Sequence, residues 1–502
     1  MPSTGITLGR ELAPAAFGFD RPTSSLGAPV AYDGEAPNTV IAPTGSGKGR
    51  DVLVPLLLTN PGPAIVVDIK GELSAICGRR RAEMGNRVAV IDPFGITGRP
   101  TDRINPLDLF ALPGSQVDCD AEMIASQLGS GHEFASDPFW SDTSTALIAG
   151  LVAYAASFHA VPTSLDTVRK LMGSDDVDYS LATLLDTVGK NISPFARREI
   201  AAYLQISSDK TRPSVLSTAR TYMKSLNSES VAACLENSTI DLGDVVAGAP
   251  LDIFIVIPPE KMISHAGFLR VVVGTLLSAI MRRTRIPERR TLMVVDEAAH
   301  LGKEFGPFLT ATTLLRGYGL QLVSAWQDVA QIKGRYKHDW QTILNNSGAV
   351  MTFGAGHHAA AKDAAEFLGM DPAALLAMGP DEAVVAIRGQ PARKIGRVSY
   401  LEDARLAALA DPNPFYAPAP TTDPGTTGAP QLQGWRDKLR EARGTIARTI
   451  EGEDSSAMDP ERIQRAILQV LDVIEQVGRM VEASPPAKPK RARRRKGNDL
   501  EV

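Results

Sequence analysis

The chain has 502 residues, with 44% hydrophobic and 22% charged residues, the balance of a globular protein long enough for two or three domains. Its three cysteines, Cys77, Cys119 and Cys234, are scattered without paired spacing, which argues against a disulfide framework or a zinc site and suits a reducing cytoplasm. A formal net charge of −4 conceals an acidic body and a basic tail, since Lys488, Lys490, Arg491, Arg493, Arg494, Arg495 and Lys496 fall together near the C-terminus.

The first residues, MPSTGITLGRELAP, carry no basic segment followed by an apolar core, so no secretory signal is expected. The longest apolar runs, Ala146 to Phe158 and Val271 to Ile280, are too short to span a bilayer. Residues 1–37 are rich in Pro, Gly, Ser and Thr and read as an extended arm or loop.

Alternation of strands and helices begins at Asn38. Thr39–Ile41 reads as a strand, followed by Ala42-Pro43-Thr44-Gly45-Ser46-Gly47-Lys48-Gly49 and an apolar helical run from Asp51 to Leu58. Strand, Gly-rich turn and helix in this order make a P-loop. Gly45 and Gly47 let successive N–H groups curl inward toward phosphate oxygens. The helix start near Lys48 adds its positive end, and the Lys48 ammonium reaches the β- and γ-phosphates of ATP. Thr44, Gly45, Ser46, Gly47, Lys48, Gly49 and Arg50 are therefore the candidate nucleotide-binding residues. Two positions depart from the usual pattern. Ala42 replaces the first Gly, and Gly49 replaces the Ser or Thr whose hydroxyl would ligate Mg²⁺, leaving that ligand to water or another side chain.

Further strands are expected at Ala64–Asp68 and Arg87–Asp92, a spacing that implies a parallel sheet with crossover helices. From residue 118 to 239 helical periodicity takes over, at Thr143–Phe158, Leu165–Met172, Phe195–Ile206 and Ser214–Ser225. This segment reads as an all-α domain inserted into an α/β motor domain made of residues 38–117 and 240–411. The sheet resumes at Leu251–Ile257, Thr291–Val295, Leu320–Trp326, Ala349–Phe353 and Glu382–Ile387, with a helix over Phe268–Arg283. Near-continuous apolar strands suit a sheet covered on both faces. A Pro/Thr/Gly linker (412–433), C-terminal helices (434–484) and the basic tail (485–502) complete the chain. The tail suits electrostatic contact with phosphates, acidic lipid or simple solubilisation.

Met293–Val295 runs into Asp296 and Glu297, the arrangement of a Walker B strand. Asp296 would hold the hydration shell of Mg²⁺ and Glu297 would polarise the attacking water. Gln327 ends the next strand, where its amide either senses the γ-phosphate or caps a strand at the surface. Transferred charge calls for a cation from a neighbouring subunit, with Arg388, Arg393 and Arg397 as candidates, and Arg316 reads either as a phosphate or DNA contact or as a solvated helix end. Trp140 reads as core packing, Asp68–Glu72 as lining for the site or an interface, and His357-His358 lacks a third metal ligand.

Taken together, Ala42–Gly49, Val66–Glu72, Asp92-Pro93-Phe94, Asn105-Pro106-Leu107, Pro138-Phe139-Trp140, Val294–Ala298, Arg316–Gly319 and Trp326-Gln327-Asp328 resemble, in order, the type IV coupling proteins, the TraG-type ATPases of conjugation and type IV secretion. The resemblance covers residues 38 to 400 and tolerates Gly after the P-loop lysine. It implies a RecA-like α/β fold with an inserted all-α domain, assembled as a homo-hexameric ring. It further implies recruitment of a relaxase–DNA complex or a secreted protein, and ATP hydrolysis that drives single-stranded DNA or effector into the secretion channel. Members usually begin with transmembrane helices, and none is read here. The expected location is therefore cytoplasmic, peripheral at the inner membrane through secretion components. A soluble translocase similar to FtsK or HerA, and a nucleotide-gated cargo adaptor with little hydrolysis, are the alternative readings.

Overall fold

A computed structural model describes residues 5–12, 26–130, 138–207 and 210–415, all within one compact unit, Met1–Ala417. The second unit, Pro418–Val502, lies outside the described residues, and with it most of the expected linker, the C-terminal helices and the basic tail. No helix among the described residues is long and apolar enough to cross a membrane.

Among the described residues eleven strands form one sheet: β1 (Ile6–Leu12), β2 (Leu26–Tyr32), β3 (Asn38–Ile41), β4 (Ala64–Asp68), β5 (Arg87–Ile91), β6 (Leu251–Val256), β7 (Thr291–Val295), β8 (Leu320–Trp326), β9 (Ala349–Thr352), β10 (Glu382–Ile387) and β11 (Arg393–Gly396). Their spatial order is β2-β1-β11-β10-β9-β3-β8-β7-β4-β6-β5. The strands from β9 to β5 in that order run parallel. The parallel direction places the C-terminal ends of β3, β4, β7 and β8 along one edge, where open α/β sheets form their ligand crevice.

Side chains alternate between two cores. Val40, Val66, Val256, Val294 and Ala325 face a layer built from Leu53, Leu57, Leu58, Leu73 and Ile76. Ile41, Ile65, Val67, Ile255 and Val295 face the Ala266–Met281 helix. Both faces are dry, which is why these strands read as unbroken apolar runs.

The N-terminal residues differ from expectation. Instead of an arm or loop, β1 and β2 pair as an antiparallel hairpin, and β1 pairs antiparallel with β11. Ile6, Leu8 and Val30 are buried in the first of the two cores, so apolar burial overrides the local Gly and Pro content. The helical segment packs against the sheet. Its residues Leu128, Leu147, Leu151 and Tyr154 belong to the same continuous core as Phe268, Val272 and the sheet face. Arg282 fastens the junction, donating to Asp120 at 2.6 Å and to the Leu109 carbonyl at 3.1 Å. Trp140 packs partly buried against this core while Phe139 stays 43% exposed.

Candidate nucleotide-binding and hydrolysis site

Ala42 still donates its N–H to the Trp326 carbonyl of β8 at 2.8 Å, so the chain leaves the sheet only at Pro43. Ala42 is fully buried. Gly45 and Gly47 then adopt φ of +77° and +93°, left-handed values that other residues enter only with strain. Gly47 is constrained a second time: a Cβ there would stand 2.5 Å from Arg397 Nη2. The Ser46 N–H and Oγ both return to the Pro43 carbonyl, at 3.1 Å and 2.6 Å, and close the turn. The N–H groups of Gly45, Gly47 and Lys48 make no such backbone bond among the described residues. They are free donors at the start of a helix, the chemistry that suits a polyphosphate. A π-helical turn, Gly49–Leu53, carries the chain into the Val54–Thr59 helix.

Lys48 Nζ lies 2.8 Å from Glu297 Oε2. Gln327 Nε2 donates to the same oxygen at 3.2 Å, and Gln331 Nε2 donates to Glu297 Oε1 at 2.8 Å. Three side chains from two separate segments thus converge on one buried carboxylate. The register between β4 and β7 pairs Val67 with Val295, so Asp68 and Asp296 follow as neighbours at the strand ends. Burial raises the Asp296 carboxyl above its ordinary range, with Lys48 pulling it back. Asp68 accepts the Ser74 N–H at 2.8 Å, and burial pushes its carboxyl up to about 7 against that hydrogen bond. Beside the P-loop a cavity of about 230 Å³ is lined by Pro43, Thr44, Gln327, Thr352, Gly354 and His357.

The fold therefore gathers Lys48, Asp296, Glu297 and Gln327 with the loop Thr44–Gly49. Arg50 turns aside, donating to Asp51 from Nε at 2.6 Å and Nη2 at 3.0 Å. Arg397 corrects an expectation. It was a candidate for action on a neighbouring subunit, but its guanidinium is held in its own chain by Asp51, the Ser46 carbonyl and the Pro380 carbonyl. It also stacks 3.9 Å from the Phe353 ring centre. The strand β11 ends at the P-loop edge, which is what aims Arg397 there. Arg388 donates to the Asn345 and Ser347 carbonyls, and Arg393 pairs with Glu11 at 3.6 Å. Arg316 precedes β8 and lies exposed at the sheet end opposite Lys48, so it makes no phosphate contact within one chain. No group of three or more His, Cys, Asp or Glu could hold a metal by itself among the described residues.

Gln331 and Arg397 went unassigned as site residues of this chain's own P-loop. Gln331 did carry a signal, because Asp328-x-x-Gln331 is a helix-capping pattern one turn from Gln327. Arg397 carried none, since its contacts join distant parts of the sequence.

The model of the family "Type IV secretory system Conjugative DNA transfer" matches residues 14–371. The conjugal transfer protein TraG of Escherichia coli is 26% identical over 324 residues, covering 61% of this chain and 50% of that protein. The type IV secretion system-coupling protein VirD4 of Bartonella quintana is 23% identical over 418 residues, covering 74% of this chain and 64% of that protein. The chain thus spans about half to two thirds of the length of these curated relatives. Among solved structures, the plasmid coupling protein TrwB, in complex with the non-hydrolysable ATP analogue ADPNP, superposes with a TM-score of 0.60 at 16% identity. That likeness covers 73% of this chain and 86% of TrwB, and it carries the fold, a RecA-like P-loop α/β architecture. With the P-loop, the Asp296-Glu297 strand end and a family model matched over most of its length, this chain belongs to the type IV secretory system conjugative DNA transfer family.

Proposed function

We propose that this chain is an ATP-hydrolysing coupling protein that recruits a relaxase–DNA complex or a protein substrate and drives its transfer through a type IV secretion apparatus. The observation that carries the reading is the convergence of the P-loop lysine on the Walker B glutamate, Lys48 Nζ to Glu297 Oε2 at 2.8 Å. The free N–H groups of the loop would cradle the phosphates, and Lys48 would exchange its carboxylate partner for phosphate oxygens. Glu297, released from Lys48, would orient a water molecule and take its proton. Gln327 would report on the terminal phosphate through the same carboxylate.

Mg²⁺ fits this site in one respect and not in another. Gly49 offers no hydroxyl, whereas the Asp296 carboxylate at the end of β7 can hold the ion through water. When bound, the ion neutralises charge on the phosphate oxygens. TrwB has been solved with ADP and Mg²⁺, which supports the same pair of ligands here. A homo-hexameric ring at the inner membrane, reached through secretion components, suits the family's work. The cation supplied in trans must then be an arginine other than Arg397.

The test is steady-state ATP hydrolysis with and without single-stranded DNA, beside Lys48→Ala and Glu297→Gln. We expect DNA-stimulated turnover, loss of ATP binding in the first variant, and tight ATP binding without turnover in the second. DNA transfer in a mating assay should be lost with either. Full turnover in Glu297→Gln would overturn the reading.

A further inference from the structure

Gln331 touches no phosphate-binding residue of the P-loop, yet both ends of its amide are committed at the site. Its Oε1 accepts the Gln327 backbone N–H at 2.9 Å, and its Nε2 donates to Glu297 Oε1 at 2.8 Å. The first bond fixes the second, because an amide whose oxygen is held by an N–H must turn its nitrogen to the other side. Its own N–H is held by Asp328 Oδ1 at 2.6 Å, so the Val329–Arg335 helix starts at a defined angle to the carboxylate.

The two oxygens of Glu297 are not equivalent. Oε2 is shared between Lys48 and Gln327, while Oε1 has Gln331 as its donor. A substrate that draws Lys48 away removes the strongest contact on Oε2. What remains is the pair of glutamines one helical turn apart, and the shorter of the two bonds is that of Gln331. We propose that Gln331 is a positioning residue for hydrolysis, holding Glu297 in its water-activating orientation once Lys48 has moved to the phosphates. The inference rests on the proposed ATP hydrolysis and deepens it. Gln331 couples the carboxylate to the backbone of Gln327, so movement at the end of β8 is transmitted to the group that activates water.

A purely structural role makes a different forecast. If Gln331 only caps a helix, its acceptor oxygen is what matters, and Gln331→Glu preserves an acceptor for the Gln327 N–H. In the proposed role, Gln331→Glu replaces the donor facing Glu297 with a like charge. The experiment measures Tm, ATP affinity, kcat and the affinity for ADP with aluminium fluoride in the full chain, for wild type, Gln331→Glu and Gln331→Leu. We expect kcat in Gln331→Glu to fall about 10- to 100-fold at wild-type ATP affinity, the scale of a misplaced catalytic group, with Tm lowered by the like charge beside a buried carboxylate. Both variants should lose the tight binding of the aluminium fluoride complex and retain that of ADP. Wild-type kcat in Gln331→Glu, with turnover still abolished by Glu297→Gln, overturns this inference alone. Absence of turnover in the wild-type chain under every DNA condition overturns the proposed function together with it.

Discussion

Asp51 is the most heavily engaged carboxylate of the nucleotide loop, receiving Arg50 on one side and Arg397 on the other. Its charge lets a second cation lie almost buried behind a loop already expected to bind phosphate through Lys48. Arg397 in turn supports the Ser46 carbonyl and occupies the space a Cβ on Gly47 would need, so the second loop glycine answers both its φ and its neighbour. Asp68 makes a different use of burial. A carboxyl raised to about 7 in the folded state, against about 3.9 when unfolded, binds a proton on folding between those values. Stability from this group therefore declines as pH rises from about 4 to about 7 and is level above that. Asp68→Asn keeps an acceptor for the Ser74 N–H and removes the titration. Its Tm should gain on wild type progressively across that window, measured without nucleotide or Mg²⁺, and a pH-independent difference would refute the assignment. At this scale Lys48, Asp296, Glu297 and Gln327 were legible because each sits in a local pattern at a strand end. Gln331 and Arg397 were not, because their importance lies in which atoms they meet.

The Glu72–Glu83 helix shows how an element is fixed by one internal ion pair. Arg81 and Asp252 are both fully buried, with Nε to Oδ2 and Nη2 to Oδ1 at 2.7 Å. The remaining Arg81 donors reach the carbonyls of Leu57, Asn60 and Gly62, and Asp252 Oδ1 accepts the Ala64 N–H at 2.8 Å. One side chain thus ties the helix to β6, to the entry of β4 and to the end of the P-loop helix. Arg81→Met leaves Asp252 charged or protonated without its partner, and we expect a loss of about 3–5 kcal/mol, read as a fall in urea midpoint at unchanged m-value. Arg81→Met with Asp252→Leu should recover only part of that loss, since the apolar pair strands no charge but leaves the three carbonyls and the Ala64 N–H without their partners. Parallel strands and the longer helices were readable from apolar runs and period, as at Ala64–Asp68 and Leu165–Met172. The antiparallel edge was not. β11 has only four residues, with Arg393 and Lys394 exposed, and β1 contains Gly9 where the Gly396 carbonyl approaches closely.

Across the whole molecule, the helical segment and the sheet share one apolar interior rather than two. The seam runs along the Ala266–Met281 helix, which covers the sheet with one side and meets the Val117–Gly129 helix with another. At the crossing, Gly274 lies so near the Gln127 side chain that no Cβ fits between them. Arg270 Nε donates to the Gln127 carbonyl at 3.3 Å in the same place. This contact gives a way to tell a docked insertion from a shared core. Gly274→Val displaces the buried Gln127 side chain from the crossing, an overpacking of about 1–3 kcal/mol. Were the segment an independent domain, the substitution would undock it and leave two folding units with transitions of their own. Because Leu147 and Leu151 of the segment and Phe268 of the seam lie in one cluster with the inward face of the sheet, we expect a single transition at lower temperature. Far-UV and near-UV circular dichroism should report it at the same midpoint, and amides of the segment and of β6 should lose hydrogen-exchange protection together. Separated midpoints would mean that the helices carry a core of their own, and that they can move on the motor without disturbing the nucleotide site.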